Sequence, residues 1–229
     1  MLSIFMMNRN TSLFLFTLLV LCMMTSCKDK KGKPWYFDQP ESTGAYDSHP
    51  IAGDTTVVND HRPVADFEGI EISDAAIVNI HIGPPCRVTV NGQKAYADAQ
   101  HVRVSDGVLS ARFDDDMSRH HKTSLYISAP SLKAVRLHNV QHAVLDGQDN
   151  RVPDFEVAFK RVVMAHFNSP IKAKRVTVNI EGMTYGNFYI DSSQLKWHSS
   201  HISHAKVTGN IGKADLHEEP KGSVELVRP

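Results

Sequence analysis

Lys133-Ala-Val-Arg-Leu-His-Asn-Val-Gln-His-Ala-Val-Leu145 decides the fold, because its apolar spacing returns three more times down the chain. Written from Lys133, Phe155, Val176 and Leu195, four segments fall into one register, 22, 21 and 19 residues apart. Two places in stand Val135, Val157, Val178 and Trp197; four places in, Leu137, Phe159, Ile180 and Ser199. At seven come Val140, Val162, Met183 and Ile202, at ten Ala143, Ala165, Gly186 and Ala205, and at twelve Leu145, Phe167, Phe188 and Val207. A copy beginning at Glu68 places Ile70, Ile72, Ala75, Val78 and Ile80 in the same columns. A fixed period near 20 residues means stacked units that share a core.

Alternation by two within each copy is a strand showing one face to that core. The skips between are corners. The sixth column holds Asp74, Asn139, Arg161, Gly182 and His201. Gly, Asn and Asp tolerate the left-handed backbone of a tight corner; Arg161 and His201 suit it less. Strand, corner and strand at about 21 residues per turn, stacking at roughly 4.8 Å, predict a single-domain, all-β, right-handed parallel β-helix. A β-sandwich with strands at similar spacing is the competing architecture, and five shared columns favour the helix.

Working outward, Val88 and Val90, Val102 and Val104, then Leu109, Ala111 and Phe113 alternate around Asn91-Gly92 and Asp106-Gly107. Asp-Gly between alternating runs is a hairpin signal, so the N-terminal half has hairpin character. Asp114 to Lys122 reads as a polar loop, Leu125-Tyr-Ile127 resumes the sheet, and Lys221 to Val227 reads as a last strand that covers the open end of the stack.

The first 27 residues differ. Ser12 to Met24 is nearly continuous apolar sequence after Arg9, the length of a signal-peptide core and short for a bilayer span. Met24-Thr25-Ser26-Cys27 resembles a lipobox, which makes Cys27 the expected lipidation site. Leu21 makes Cys22 a poorer candidate, and acyl chains would hold the protein on a bilayer. Residues 28–65, rich in Pro, Gly, Ser, Thr and Asp, read as a flexible tether, with Trp35-Tyr36-Phe37 as an aromatic exception. Residues 66–229 then form the folded domain. With Cys22 and Cys27 so assigned, only Cys86 remains, as a small packing residue without a disulfide partner. The expected address is an outer-membrane lipoprotein facing the periplasm or the cell surface.

Ile70-Glu-Ile-Ser-Asp-Ala-Ala-Ile-Val-Asn-Ile80 resembles the signature of a bacterial family of unknown function, the auto-transporter adhesin head GIN domain. Val102 to Leu109 and Ser128-Ala-Pro-Ser-Leu132 are similar to its valine-rich hairpin and its Pro-x-Leu step. The resemblance covers most of residues 66–209 and implies an envelope-anchored β-helix of the kind found in Bacteroidota-type bacteria. At the family's corner glycine this chain has Asp74, Asn139, Arg161 and His201; Gly182 alone keeps it.

Chemistry is thinly marked. Lys plus Arg and Asp plus Glu number 25 each, so no charge excess argues for nucleic acid. No nucleophile elbow, zinc-protease helix, phosphate loop or dinucleotide fingerprint occurs. Thirteen histidines raise a metal reading, yet His138, His142, His166, His198, His201 and His204 fall in scattered columns, and ligands must converge to about 2 Å from one ion. Asp114-Asp115-Asp116 lacks a calcium-loop pattern. No catalytic residue, cofactor or metal ligand is therefore assigned. Tyr126, Tyr185, Tyr189, His198, His201 and His204 form the candidate ligand face. The expectation is a non-catalytic, lipid-anchored, adhesin-like module binding an envelope or host polymer or protein. The alternatives are a polysaccharide lyase or hydrolase on the same scaffold, and a structural envelope component.

Overall fold

In each copy, buried residues alternate with exposed ones until a corner interrupts the count, and that pattern builds one mixed sheet. The structure is a computed structural model that describes residues 53–113, 122–219 and 223–227. Among them are β1 (Val57–Arg62), β2 (Gly69–Ser73), β3 (Ile77–Ile82), β4 (Arg87–Gln93), β5 (His101–Ser105) and β6 (Val108–Arg112). β7 (Thr123–Ala129), β8 (Ala134–Gly147), β9 (Asn150–Thr208), β10 (Ile211–Glu218) and β11 (Val224–Val227) follow, and one helix, α1 (Lys94–Ala99), lies between β4 and β5. The leader, Cys27, Trp35-Tyr36-Phe37 and the Asp114-Asp115-Asp116 loop lie outside the described residues.

The columns become registers. β8 pairs in parallel with β2 and β3, setting Ile70 against Val135, Ile72 against Leu137, Val78 against Ala143 and Ile80 against Leu145. β8 pairs equally with β9, Val135 against Val157, Leu137 against Phe159, Val140 against Val162 and Leu145 against Phe167. Every named residue of columns two, four, seven, ten and twelve is buried. Burying each Val, Leu, Ile or Phe contributes about 1.5–3 kcal/mol against chain entropy. Phe159, Phe167, Phe188 and Trp197 form a line of rings with centroids 5.2–6.0 Å apart. Ser199, polar in an apolar column, accepts the Trp197 indole N–H at 2.9 Å. A sixth copy closes the series: β10 sets Leu216 against Trp197, and β11 sets Val224 against Ala205 and Leu226 against Val207.

All five corner residues have positive φ: Asp74 62°, Asn139 54°, Arg161 55°, Gly182 73° and His201 53°. Arg161 and His201 therefore adopt the left-handed conformation their side chains disfavour, at about 1–2 kcal/mol each. Stacking above and below outweighs that local preference. Asn139 Nδ2 donates to Asp74 Oδ1, and Arg161 Nη2 donates to His138 Nε2 at 2.7 Å, so corner side chains bridge consecutive copies.

The N-terminal end departs from an all-parallel stack. β4 runs antiparallel to β7, β1 antiparallel to β4, and β5 antiparallel to β6, while β6 and β7 continue the parallel order beside β2 and β3. Asp106 (φ 52°) and Gly107 (φ 72°) make the β5–β6 turn as their sequence indicates. Asn91-Gly92 makes no turn and lies inside β4. The following Lys94-Ala-Tyr-Ala-Asp-Ala99 is helical, as its alanine content favours. The sheet also begins before residue 66. β1 alternates exposed and half-buried residues at the edge, so the tether's last residues needed no apolar stripe to join the fold.

Candidate functional site

Outward residues fall on distinct flanks because each copy turns at its sixth column. The first flank carries the outward places one, three and five; the second carries nine, eleven and thirteen.

On the first flank a hollow of about 710 Å³ is lined by Glu71, Arg136, His138, Ala158, Lys160, Asn179, Glu181 and His198, among others. Ala158 is the small residue of its floor. Its charges pair across copies: Arg136 holds both carboxylate oxygens of Glu156 at 3.3 and 2.7 Å, and Lys160 meets Glu181 at 3.0 Å. Burial, then the adjacent Arg161 cation, holds His138 below the usual imidazole range. Its Nε2 accepts from Arg161, leaving the remaining proton on Nδ1. Glycoside chemistry needs two carboxylates free to act across a groove. Glu156 and Glu181 are each tied to a cation, which leaves Glu71 as the hollow's one carboxylate without an ion pair among the described residues.

The second flank has another character. Register places Tyr126, Asn79, Val144 and His166 in one row, and Ser124, Ile77, His142 and Met164 in the next. The His166 and Tyr185 rings lie 5.5 Å apart, and Tyr185 stacks on His204 at 5.8 Å with 30° between planes. His204 Nδ1 is 3.0 Å from Ser223 Oγ, which fixes the end of that line. Burial holds His166 and His142 below the usual imidazole range, His142 also through His166. Both rings are thus neutral near pH 7. His81 and Asp146 bond at 2.9 Å along the rim. Tyr126 and Tyr189 are exposed.

The six residues of the expected ligand face do not form one face. Tyr126, Tyr185, Tyr189 and His204 share the second flank, and of these Tyr185 and His204 touch. His198 lines the first flank, because the corner at His201 stands between it and His204. His201 sits at a corner. His166 belongs to the ring line although its column differs from that of Tyr185, since rings reach diagonal neighbours about 7–8 Å away across adjacent strands. Among the described residues, no three His, Cys, Asp or Glu side chains are placed to hold a metal ion. Cys86 is half-buried, and burial pushes its thiol up, away from the thiolate a nucleophile needs. No helix among the described residues is long and apolar enough to cross a membrane.

The repeat and the mixed sheet with its two outward flanks define an all-β domain. Residues 66–227 match the family described as "Putative auto-transporter adhesin, head GIN domain", and the chain belongs to that family. Solved structures similar to it include a "Putative lipid binding protein" from Parabacteroides distasonis ATCC 8503, 11% identical with a TM-score of 0.42. Others are a "putative adhesin" from Bacteroides fragilis NCTC 9343 (12%, 0.43) and one from Parabacteroides merdae ATCC 43184 (10%, 0.40). Each alignment covers 77% of this chain and 98% of the other. No curated protein matches the chain.

Proposed function

We propose that this chain is a non-catalytic, lipid-anchored envelope protein that holds an extended polymer along its second flank. In this reading Cys27 carries the lipid at the outer membrane, the following residues reach outward as a tether, and the repeat winds as a right-handed parallel β-helix. The observation that carries the proposal is the line His166, Tyr185 and His204, whose rings repeat at 5.5 and 5.8 Å. Ring faces carry partial negative charge and attract the positively polarised C–H edges of a sugar ring. Asn79, Asn187 and Ser223 stand in the neighbouring outward places and supply hydrogen-bonding groups for hydroxyls. A flank that repeats by copy suits a ligand that repeats by residue. Membership in an adhesin-named family supports the same direction.

The first-flank hollow favours a second reading, a polysaccharide-cleaving enzyme, because it gathers carboxylates and cations in one place. One experiment separates the two. The chain without residues 1–27 is applied to an array of envelope and host glycans and matrix proteins, and each bound glycan is then analysed by mass spectrometry. Saturable binding of an unaltered glycan, weakened in Tyr185→Ala, is the expected result. Shortened or unsaturated products would transfer the function to the first flank.

A further inference from the structure

A third region, at the β5–β6 edge of the sheet where Ser110 pairs with Glu71 of the first flank, holds polar groups the fold leaves without partners. Gln100 caps the C-terminal end of α1 through its backbone N–H, which donates to the Ala97 carbonyl at 3.3 Å. Its side chain is 1% exposed, and neither its amide nitrogen nor its amide oxygen has a hydrogen-bond partner. Arg62 Nε is likewise buried and unpartnered, although its Nη2 donates to the Ala97 carbonyl at 2.7 Å and pairs with Asp60 at 2.8 Å. Buried polar groups are nearly always satisfied, so two such residues together need an explanation.

Both residues line a hollow of about 440 Å³ at the foot of the β5–β6 hairpin, together with Arg103, Arg112 and Asp98. Asp98 is neutralised by Lys94 at 2.8 Å. Arg103 faces Ser110 and Arg112 faces His101 across the hairpin, and among the described residues neither arginine forms an ion pair. Three guanidiniums, of which Arg62 is paired with Asp60, therefore line a hollow whose one carboxylate, Asp98, Lys94 already satisfies. The planar guanidinium fork matches a carboxylate. The buried Gln100 oxygen can only accept, so it requires a ligand hydroxyl or N–H as well as an anion.

We propose that this hollow binds a small hydroxylated carboxylate, the chemistry of an acidic sugar residue. Arg103 and Arg112 take the carboxylate, while the Gln100 amide and Arg62 Nε–H read an adjacent hydroxyl. The volume lies within the range of small-ligand pockets. The ligand is either a free sugar acid or the acidic end of a glycan. This site stands on its own observations and does not depend on the second flank.

The test is calorimetric titration of the full-length chain in detergent with sodium glucuronate, with glucose and sodium acetate as the two half-ligands. A single saturable glucuronate site is expected, with acetate much weaker and glucose silent. Arg103→Gln and Arg112→Gln, exposed and unpaired, keep the fold and each weaken glucuronate by roughly tenfold or more. Gln100→Leu lowers glucuronate to the level of acetate while the unliganded melting temperature holds or rises. If that buried variant fails to fold, the arginine variants still decide. Tyr185→Ala leaves glucuronate binding unchanged, so failure here is distinguishable from failure of the polymer reading. An oligosaccharide ending in glucuronate that binds more tightly assigns the site to a glycan end, and equal binding assigns it to the free acid. Equal binding of acetate and glucuronate, full binding by both arginine variants, or no saturable heat would overturn the proposal.

Discussion

The two flanks share every copy and every core column, yet they use their outward places in opposite ways. The first spends its long side chains on one another, through Arg136–Glu156, Lys160–Glu181 and Arg161–His138. The second stacks rings and leaves amides and hydroxyls beside them. Cross-copy ion pairs at half-exposed positions are worth little, typically 0–1 kcal/mol. Their effect is to satisfy most of the first flank's charges internally, Glu71 excepted. Stacked rings offer a partner a surface whose desolvation is less costly than that of ion pairs. The difference teaches that one scaffold can carry a self-satisfied side and a side suited to recognition.

The largest expected effect lies beneath both flanks. Phe188→Ala removes a fully buried ring that meets Phe159, Phe167 and Trp197, and should cost about 3–5 kcal/mol in denaturant unfolding. Both flanks should be lost together; loss of one alone would show that they do not share a core. Next comes Tyr185→Ala, which should weaken polymer binding by roughly tenfold, the scale of a ring-stacking contact. Lys160→Ala on the first flank should leave that binding unchanged, and a surface-binding assay compares the two.

Corner substitutions come third and act on both flanks equally. Gly182→Ala has room, its nearest neighbours being 3.8 Å from the added carbon, so only the positive φ opposes it; a loss of about 1 kcal/mol is expected. His201→Gly should gain roughly 0.5–1 kcal/mol by removing that strain. Thermal melts of the pair should move in opposite directions.

A smaller effect follows pH. The folded value of His138 is depressed by burial and by Arg161. The unfolded chain therefore takes up its proton first. The stability His138 contributes is complete above the ordinary imidazole value, about 6.5, and is lost as pH falls from there toward the lower folded value. NMR titration should place its midpoint below the ordinary value, and Arg161→Gln should raise it. A midpoint unmoved by that change would remove Arg161 as a cause. The smallest expected effect is that of Lys160→Ala on stability, under about 1 kcal/mol and smaller at high salt.

Much of this was legible in the residues. Columns survive in sequence because each inward place meets the same place in its neighbours, so Val135, Val157 and Val178 had to resemble one another. Asp106-Gly107 was legible because a tight hairpin turn needs its backbone. The last copy was legible in its final strand, Val224–Val227, and not in Ile211–Glu218. Its inward places Leu216, Val224 and Leu226 are half-buried and Glu218 stands in an apolar column, since an end copy has a neighbour on one side alone. β1 escaped for the same reason at the other end. The site was half legible. Tyr185 and His204 stack, but His198 stands on the other flank, and His166 joined by a diagonal reach that column counting ignores. Arg161 and His201 at positive φ show local preference yielding to stacking.

The central claim is that the second flank binds and the first does not. It is tested most directly by titrating the polymer found on the array into four chains: the parent, Tyr185→Ala, His204→Ala and Lys160→Ala. The account predicts weakened binding in the two ring variants, parent affinity in Lys160→Ala, and a polymer recovered intact. Parent affinity in both ring variants with loss in Lys160→Ala would contradict it and move the function to the charged hollow.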